Sequence, residues 1–247
     1  MHQYLFFIGN FPIRLYGIFF SLGIISGCIT AYFLLKKDRR GWESHMFDLG
    51  LVIAFAGIVG GRLWDVFFFD WEYYHNHLLE IPYIWQGGMA IQGGIIFACI
   101  AAYFYLKKHQ IPVLPFADTV TPGIILGQAI GRIANFMNGD AFGHPTGQDF
   151  GLLYPDTTLA YHTYGAQPLW PAEVWECQGD LLIFVLLLWY GCKTRAEGTT
   201  FCLYIMFYSL LRFFLENYRG DYGTLALGLK SAQLTSLAAF AGAFILF

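Results

Sequence analysis

Two helix-length segments of this chain place hydrogen-bonding side chains in register. Gln128, Arg132 and Asn135 recur at i, i+4 and i+7, so a helix puts them on one face, and Asn138, Gly139, Asp140 and Gly143 follow in a turn-rich stretch. Tyr208, Arg212 and Glu216 repeat the pattern at i, i+4 and i+8. In a third stretch, "QGGMAIQGG" (86–94), paired glycines flank Gln92, and in a fourth, "IRLYG" (13–17), Arg14 and Tyr16 stand together. A guanidinium matches phosphate bidentately and stays charged at any working pH. Arginines at one edge of a bilayer, with few acids to neutralise them, describe a phospholipid headgroup site. The structural alternative is Arg212 paired with Glu216 and Asn135 bonded across helices. Ion filters and proton relays need rings of carbonyls or acids, which the sequence does not offer.

These residues lie in an unusually apolar chain. Of 247 residues, 57% are hydrophobic and 13% charged, with a mean hydropathy of +0.50, against about 25% charged in ordinary soluble domains. The composition implies an all-α polytopic membrane protein of about seven transmembrane helices. The expected spans are 14–35, 46–66, 88–106, 113–136, 173–192, 200–217 and 226–246, in a single transmembrane domain over 1–247. Lys36, Lys37, Arg39, Arg40, Lys107, Lys108, Lys193 and Arg195 fall in connections that the positive-inside rule makes cytoplasmic. The N-terminus is then outside and the C-terminus cytoplasmic. Trp71, Trp85 and Trp170 sit at the outer interface, as aromatic belts do.

The other six basic residues (Arg14, Arg62, Arg132, Arg212, Arg219 and Lys230) gather toward the outer side. Snorkelling accounts for Arg219 and Lys230, whereas Arg132 and Arg212 have polar neighbours that ask for more. The segment 138–171 is Gly- and Pro-punctuated and long enough to act as a lid over a site. Its His144 and His162 lack metal-ligand spacing, so no metal and no cofactor is expected. Cys28, Cys99, Cys177, Cys192 and Cys202 are scattered in apolar runs and read as small buried hydrophobes. A net charge of -3 without a basic stripe argues against nucleic acid. The N-terminus has no basic region or small-residue cleavage site, so no removable signal peptide is expected.

"GRIANFMNGDAFG" (131–143) resembles the signature segment of the bacterial prolipoprotein diacylglyceryl transferases, Gly-Arg-x-x-Asn-Phe-x-Asn-Gly-Glu-x-x-Gly. "RLYG", "GGR" at 60–62, "GGMAIQGG", "LWPAEVWE" at 169–176, "YSLLRFFLE" and Gln233 follow that family's order across nearly the whole chain. The resemblance implies transfer of the diacylglyceryl group of phosphatidylglycerol to the lipobox cysteine thiol of a prolipoprotein signal peptide, with release of glycerol-1-phosphate. It implies a multi-pass protein of the bacterial cytoplasmic (inner) membrane, surrounded by membrane lipids. Carried over residue by residue, Arg132, Asn135, Asn138, Gly143, Tyr16, Tyr208, Glu216 and Arg62 become lipid-binding, and Arg132, Arg212, Asp140 and Gln92 catalytic. The chain departs from the pattern where Gln92 replaces a frequent histidine, Asp140 replaces the signature glutamate, Glu173 and Trp175 replace glutamine and tyrosine, and Asp65 replaces a frequent aromatic. Two other readings remain open: a catalytically altered paralogue that binds anionic phospholipid, and a small-molecule transporter.

Overall fold

The computed structural model describes residues 3–9, 11–191, 196–220, 223 and 228–247. Lys193 and Arg195, counted among the cytoplasmic basic residues, and Cys192 lie outside the described residues. The chain opens with an antiparallel hairpin, β1 (Tyr4–Ile8) and β2 (Phe11–Arg14), which the hydropathy pattern did not announce. Its strands are rich in aromatic and branched side chains, which suit a pleated surface. Helix α1 (Leu15–Asp38) begins directly after Arg14, and α2 (Met46–Trp64) continues into a π-helical turn over Asp65–Phe69. The short α3 (Trp71–Tyr74) precedes α4 (Ile91–Lys108) and α5 (Val113–Asn138). Then come the short α6 (Leu159–Tyr164), followed by α7 (Ala172–Gly191), α8 (Thr199–Leu215) and α9 (Ser231–Leu246).

Each of the seven apolar runs carries a helix. Among the described residues, four helical stretches are long and apolar enough to cross a membrane: Leu15–Asp38, Trp42–Phe69, Val113–Asn138 and Thr199–Tyr218. Helix α7 has 20 residues, but its first half holds Glu173, Glu176 and Asp180. Phe33, Leu51, Phe55, Ile100, Phe104, Trp189 and Phe214 are exposed on their helices, a distribution suited to hydrocarbon rather than water.

The chain divides into two compact units, one formed by residues 1–34 and 117–247, the other by 35–116. In the first, α7 packs on α8 and α8 on α9. Ile125, Ile183 and Leu187 form a buried core there, with Leu203, Phe207 and Leu211 against it. Helices α1 and α5 meet backbone to backbone: a Cβ on Gly27 would stand 2.7 Å from the Gly123 carbonyl oxygen. The Asp118 carboxylate caps α8, accepting from the amides of Gly198 (2.6 Å) and Phe201 (2.8 Å), donors that the helix itself cannot satisfy.

The second unit rests on α2 against α4. A Cβ on Gly93 would lie 2.2 Å from both the Gly60 carbonyl oxygen and Trp64 Cβ, so glycine sets the spacing of this pair. Gly93→Ala is expected to lower stability by about 1–3 kcal/mol through overpacking, seen as an earlier thermal transition in detergent. An unchanged transition would mean that the helix pair has slack.

Candidate functional site

The first unit assembles a charged cluster from α5, α7, α8 and the segment after α8. Glu176 of α7 stands at its centre. Its Oε1 accepts from Arg132 at 2.7 Å, and its Oε2 meets Arg212 at 3.0 Å and Arg219 at 3.5 Å. Glu216 holds the other side: Arg212 is 2.8 Å from its Oε2, Arg219 is 3.9 Å from the same oxygen, and Lys230 Nζ is 4.0 Å from Oε1. Lys230 Nζ also donates to the carbonyls of Glu216 (2.9 Å) and Arg219. Tyr208 Oη bridges Arg132 and Glu176, 3.4 Å from each. The two sequence rows therefore converge, α5 supplying Arg132 and α8 supplying Tyr208 and Arg212.

Two expectations change here. The arginines do not stand among few acids: Arg132, Arg212, Arg219 and Lys230 face Glu173, Glu176, Asp180 and Glu216, four basic and four acidic side chains. Nor do Arg219 and Lys230 merely snorkel, because Arg219 is buried and both contribute to the ion-pair network. The missed acids come from α7, where Glu173, Glu176 and Asp180 recur at i, i+3 and i+7. The spacing test that singled out the arginine rows would have found them.

The signature segment continues the network outward. Arg132 donates to Asn135 Oδ1 (3.3 Å), Asn135 Nδ2 to Asp140 Oδ1 (2.7 Å), and Asn138 Nδ2 to Asp140 Oδ2 (2.8 Å). Asp140 is thus fixed by the two asparagines rather than left as a loose carboxylate. Gln128, on the same face, accepts from Tyr204 at 2.9 Å. Tyr16 of α1 is half-buried and within electrostatic range of both Asp140 and Arg132.

Gly143 explains itself sterically. A Cβ there would lie 2.2 Å from the Trp170 carbonyl oxygen, so the segment passes between Trp170 and the chain at 218–220 only without a side chain. Gly143 forms a bridge with Arg219, and the His144 amide donates to the Tyr218 carbonyl at 2.9 Å. The region 138–171 has a core of its own in Phe142, Tyr154, Ala160 and Leu169. Tyr154 donates to Glu173 Oε1, joining this region to α7. Burial and the neighbouring Glu173 push the Tyr154 phenol far above its ordinary value, so it stays a donor. Sequence patterning had no signal for this loop core, which has neither helical nor strand period.

The second unit holds Arg62 and Gln92. Arg62 is buried and spends its donors on the main chain: Nε on Ile81 (2.8 Å), Nη1 on Gly87 (2.7 Å) and Gly88 (3.0 Å), and Nη2 on Glu80 (3.0 Å). Gly88, at φ 73°, makes room for it, since a Cβ there would meet Nη1 at 2.5 Å. The "GGR" and "QGGM" stretches thus meet as a loop anchored on one guanidinium. Gln92 is exposed in the first turn of α4. Among the described residues, no group of three or more His, Cys, Asp or Glu side chains could hold a metal.

Known proteins resemble this chain over nearly its whole length. Residues 3–247 match the model of the family described as prolipoprotein diacylglyceryl transferase. A phosphatidylglycerol–prolipoprotein diacylglyceryl transferase of Clostridium botulinum is 35% identical over 238 residues, covering 96% of this chain and 92% of the relative. Proteins of the same name from Staphylococcus saprophyticus and Geobacillus kaustophilus are each 36% identical, covering 93% of this chain and 82% and 85% of theirs. The chain belongs to the prolipoprotein diacylglyceryl transferase family.

Proposed function

We propose that this protein transfers the diacylglyceryl group of phosphatidylglycerol to the lipobox cysteine thiol of a prolipoprotein, releasing glycerol-1-phosphate. It would do so as a seven-span protein of the bacterial cytoplasmic membrane, N-terminus outside, in one transmembrane domain whose site opens toward the outer leaflet. The observation that carries this reading is the layering of charge. The Arg132 and Arg212 side chains keep 19% and 14% exposure, while Glu176 and Glu216 keep 1% and 0%. In these pairs the cations are the more exposed members and the acids the buried ones, so the accessible surface they form favours an anion.

The chemistry follows from that layering. The phosphate of the lipid meets Arg132 and Arg212, which gain strength as the leaving phosphate acquires a second charge. The substrate thiol attacks the glycerol carbon, the carbon–oxygen bond to phosphate breaks, and its electron pair leaves on the phosphate oxygen. Arginines beside the thiol favour thiolate. Asn135, Asn138 and Asp140 hold the rim on which the headgroup sits, and Tyr16 and Tyr208 border it. Segment 138–171, tied down through Tyr154 and Gly143, covers the site as a lid, while Gly143 serves by close backbone approach. In the second unit, Arg62 shapes the loop before Gln92, whose exposed amide is that unit's proposed contribution.

The test is complementation of a transferase-depleted bacterium, read as the gel shift of a model prolipoprotein. The wild type is expected to restore the shift, and Gln92→His to change the initial rate by less than about tenfold, roughly 1.4 kcal/mol of barrier. An inactive wild type that Gln92→His switches on would remove the proposal that this chain works without a base at position 92. A wild type that retains phosphatidylglycerol yet transfers nothing would favour a binding-only role.

A further inference from the structure

The first unit has a cavity that the mechanism does not use. It measures about 220 Å³ and is lined by Gln3, Tyr4, Arg14, Asn138 and Thr157. The N-terminal hairpin builds one wall. Its register sets Tyr4 opposite Arg14, the Leu15 amide donates to the Gln3 carbonyl at 2.9 Å, and the Arg14 guanidinium stands 6.0 Å from the centre of the Tyr4 ring. Gln3 ties that wall to the other side, its Nε2 donating to the carbonyls of Asn138 (3.1 Å) and Thr157 (3.3 Å).

Arg14 is the exception among the described cations of this unit. Arg132, Arg212, Arg219 and Lys230 all face buried carboxylates. Arg14 is exposed and forms no ion pair among the described residues, with the nearby-in-sequence Asp140 and Asp156 or with any other acid. The rest of the lining complements it. Gln3 Nε2 is spent on two carbonyls, which leaves Oε1 to accept, and the Thr157 hydroxyl makes no hydrogen bond among the described residues. A cation beside an acceptor and a hydroxyl suits an anion that carries hydroxyl groups. The volume equals about seven waters at about 30 Å³ each, enough for a glycerol phosphate and too little for acyl chains.

We propose that this cavity is a phosphoglycerol subsite, with the phosphate on Arg14 and the glycerol hydroxyls on Gln3 Oε1 and Thr157. Two sources carry that group: the glycerol-1-phosphate released by transfer, and the headgroup of a phosphatidylglycerol molecule. The cavity shares Asn138 with the rim, and a hydrogen-bonded path runs from Arg132 through Asn135, Asp140 and Asn138 to Gln3. An anion moving off the clamp along this path meets a guanidinium for which no carboxylate competes.

The inference takes its ligand from the transferase reading, but its experiment needs no turnover. sn-Glycerol-1-phosphate is titrated calorimetrically into purified protein in phosphatidylcholine nanodiscs. The wild type is expected to bind two equivalents, one at the Arg132 clamp and one at Arg14. Arg14→Gln should weaken one of them by about tenfold, as for a lost charged hydrogen bond, and leave the other. Arg132→Ala should do the reverse, and Arg14→Lys, lacking the fork, should fall between wild type and Arg14→Gln. Thr157→Val, which leaves the charge in place, should weaken glycerol-1-phosphate but not inorganic phosphate at the Arg14 site. Nanodiscs of phosphatidylglycerol identify the source. An Arg14-dependent equivalent that persists there belongs to the free monoester, one that is displaced belongs to the lipid headgroup, and both results support the subsite. A single wild-type equivalent that only Arg132→Ala removes would overturn it, as would inorganic phosphate binding at Arg14 as tightly as glycerol-1-phosphate. Arg14-dependent binding by a protein that transfers nothing would instead overturn the transferase reading and leave the subsite standing.

Discussion

Replacing Arg132 by alanine is expected to lower transfer by about a thousandfold, equivalent to about 4 kcal/mol of barrier, while the protein still accumulates in membranes. Three contacts make the loss large. Arg132 binds the buried Glu176 at 2.7 Å, reaches Tyr208 at 3.4 Å and holds Asn135 at 3.3 Å, the first link of the chain to Asp140. It thus connects the inner carboxylate layer to the rim and carries the most exposed of the cluster's paired guanidinium groups. Arg132→Lys should lose about a hundredfold, because a point charge cannot serve the carboxylate and a phosphate with the planar fork's geometry. The measurement is initial rate at matched expression, scored by the prolipoprotein shift. Full transfer by the alanine variant would leave the headgroup clamp without its principal residue.

The second large effect concerns stability. Glu176 is fully buried and shared by three arginines, two of them with little exposure of their own. Glu176→Ala leaves these cations facing one another, with Glu216 ion-paired to Arg212 and Arg219 but no acid ion-paired to Arg132 among the described residues. Breaking one partner of a buried ion pair typically costs about 3–5 kcal/mol, because the remaining charges stay desolvated. The thermal transition in detergent should fall accordingly, and activity should fall with it. Adding Arg212→Ala should recover part of the loss, since both members of one pair are then gone. A Glu176→Ala protein that melts like the wild type would show that water, not the carboxylate, screens the arginines.

Much of this arrangement could be read in the sequence, and the remainder has physical reasons for staying hidden. The helices were legible because long apolar runs bounded by lysines or glycines leave little choice of structure. Arg132 and Arg212 were legible because a cation in such a run is costly and each came with polar residues at helical spacing. Glu173 escaped because an acid in the first turn of a helix is an ordinary companion of its dipole, and Glu176 escaped because its partner Arg212 stands 36 residues away. Arg219 escaped because a basic residue just past a helix end passes for a snorkelling side chain. Arg62 stood out by charge, but only the course of the chain at 80–88 reveals four carbonyls waiting for it. The Phe142–Tyr154–Leu169 core depends on side chains far apart in sequence, where no period exists to be found, and the strands of the N-terminal hairpin are too short to show one.

The acidic face of α7 also bears on how the chain is made. A charge near the middle of an isolated helix costs about 2.5–3.5 kcal/mol to insert, and α7 brings Glu173, Glu176 and Asp180 within its first nine residues. When α7 leaves the ribosome, Arg132 is already synthesised, whereas its other ion-pair partners among the described residues, Arg212 and Arg219, come later. If α7 is one of the seven spans proposed above, it is a poor membrane segment at birth and becomes a better one when Arg212 and Arg219 arrive. A chain that ends before α8 carries Glu173, Glu176 and Asp180 without Arg212 and Arg219, so the order of synthesis leaves the acids of α7 waiting for most of their counter-charge.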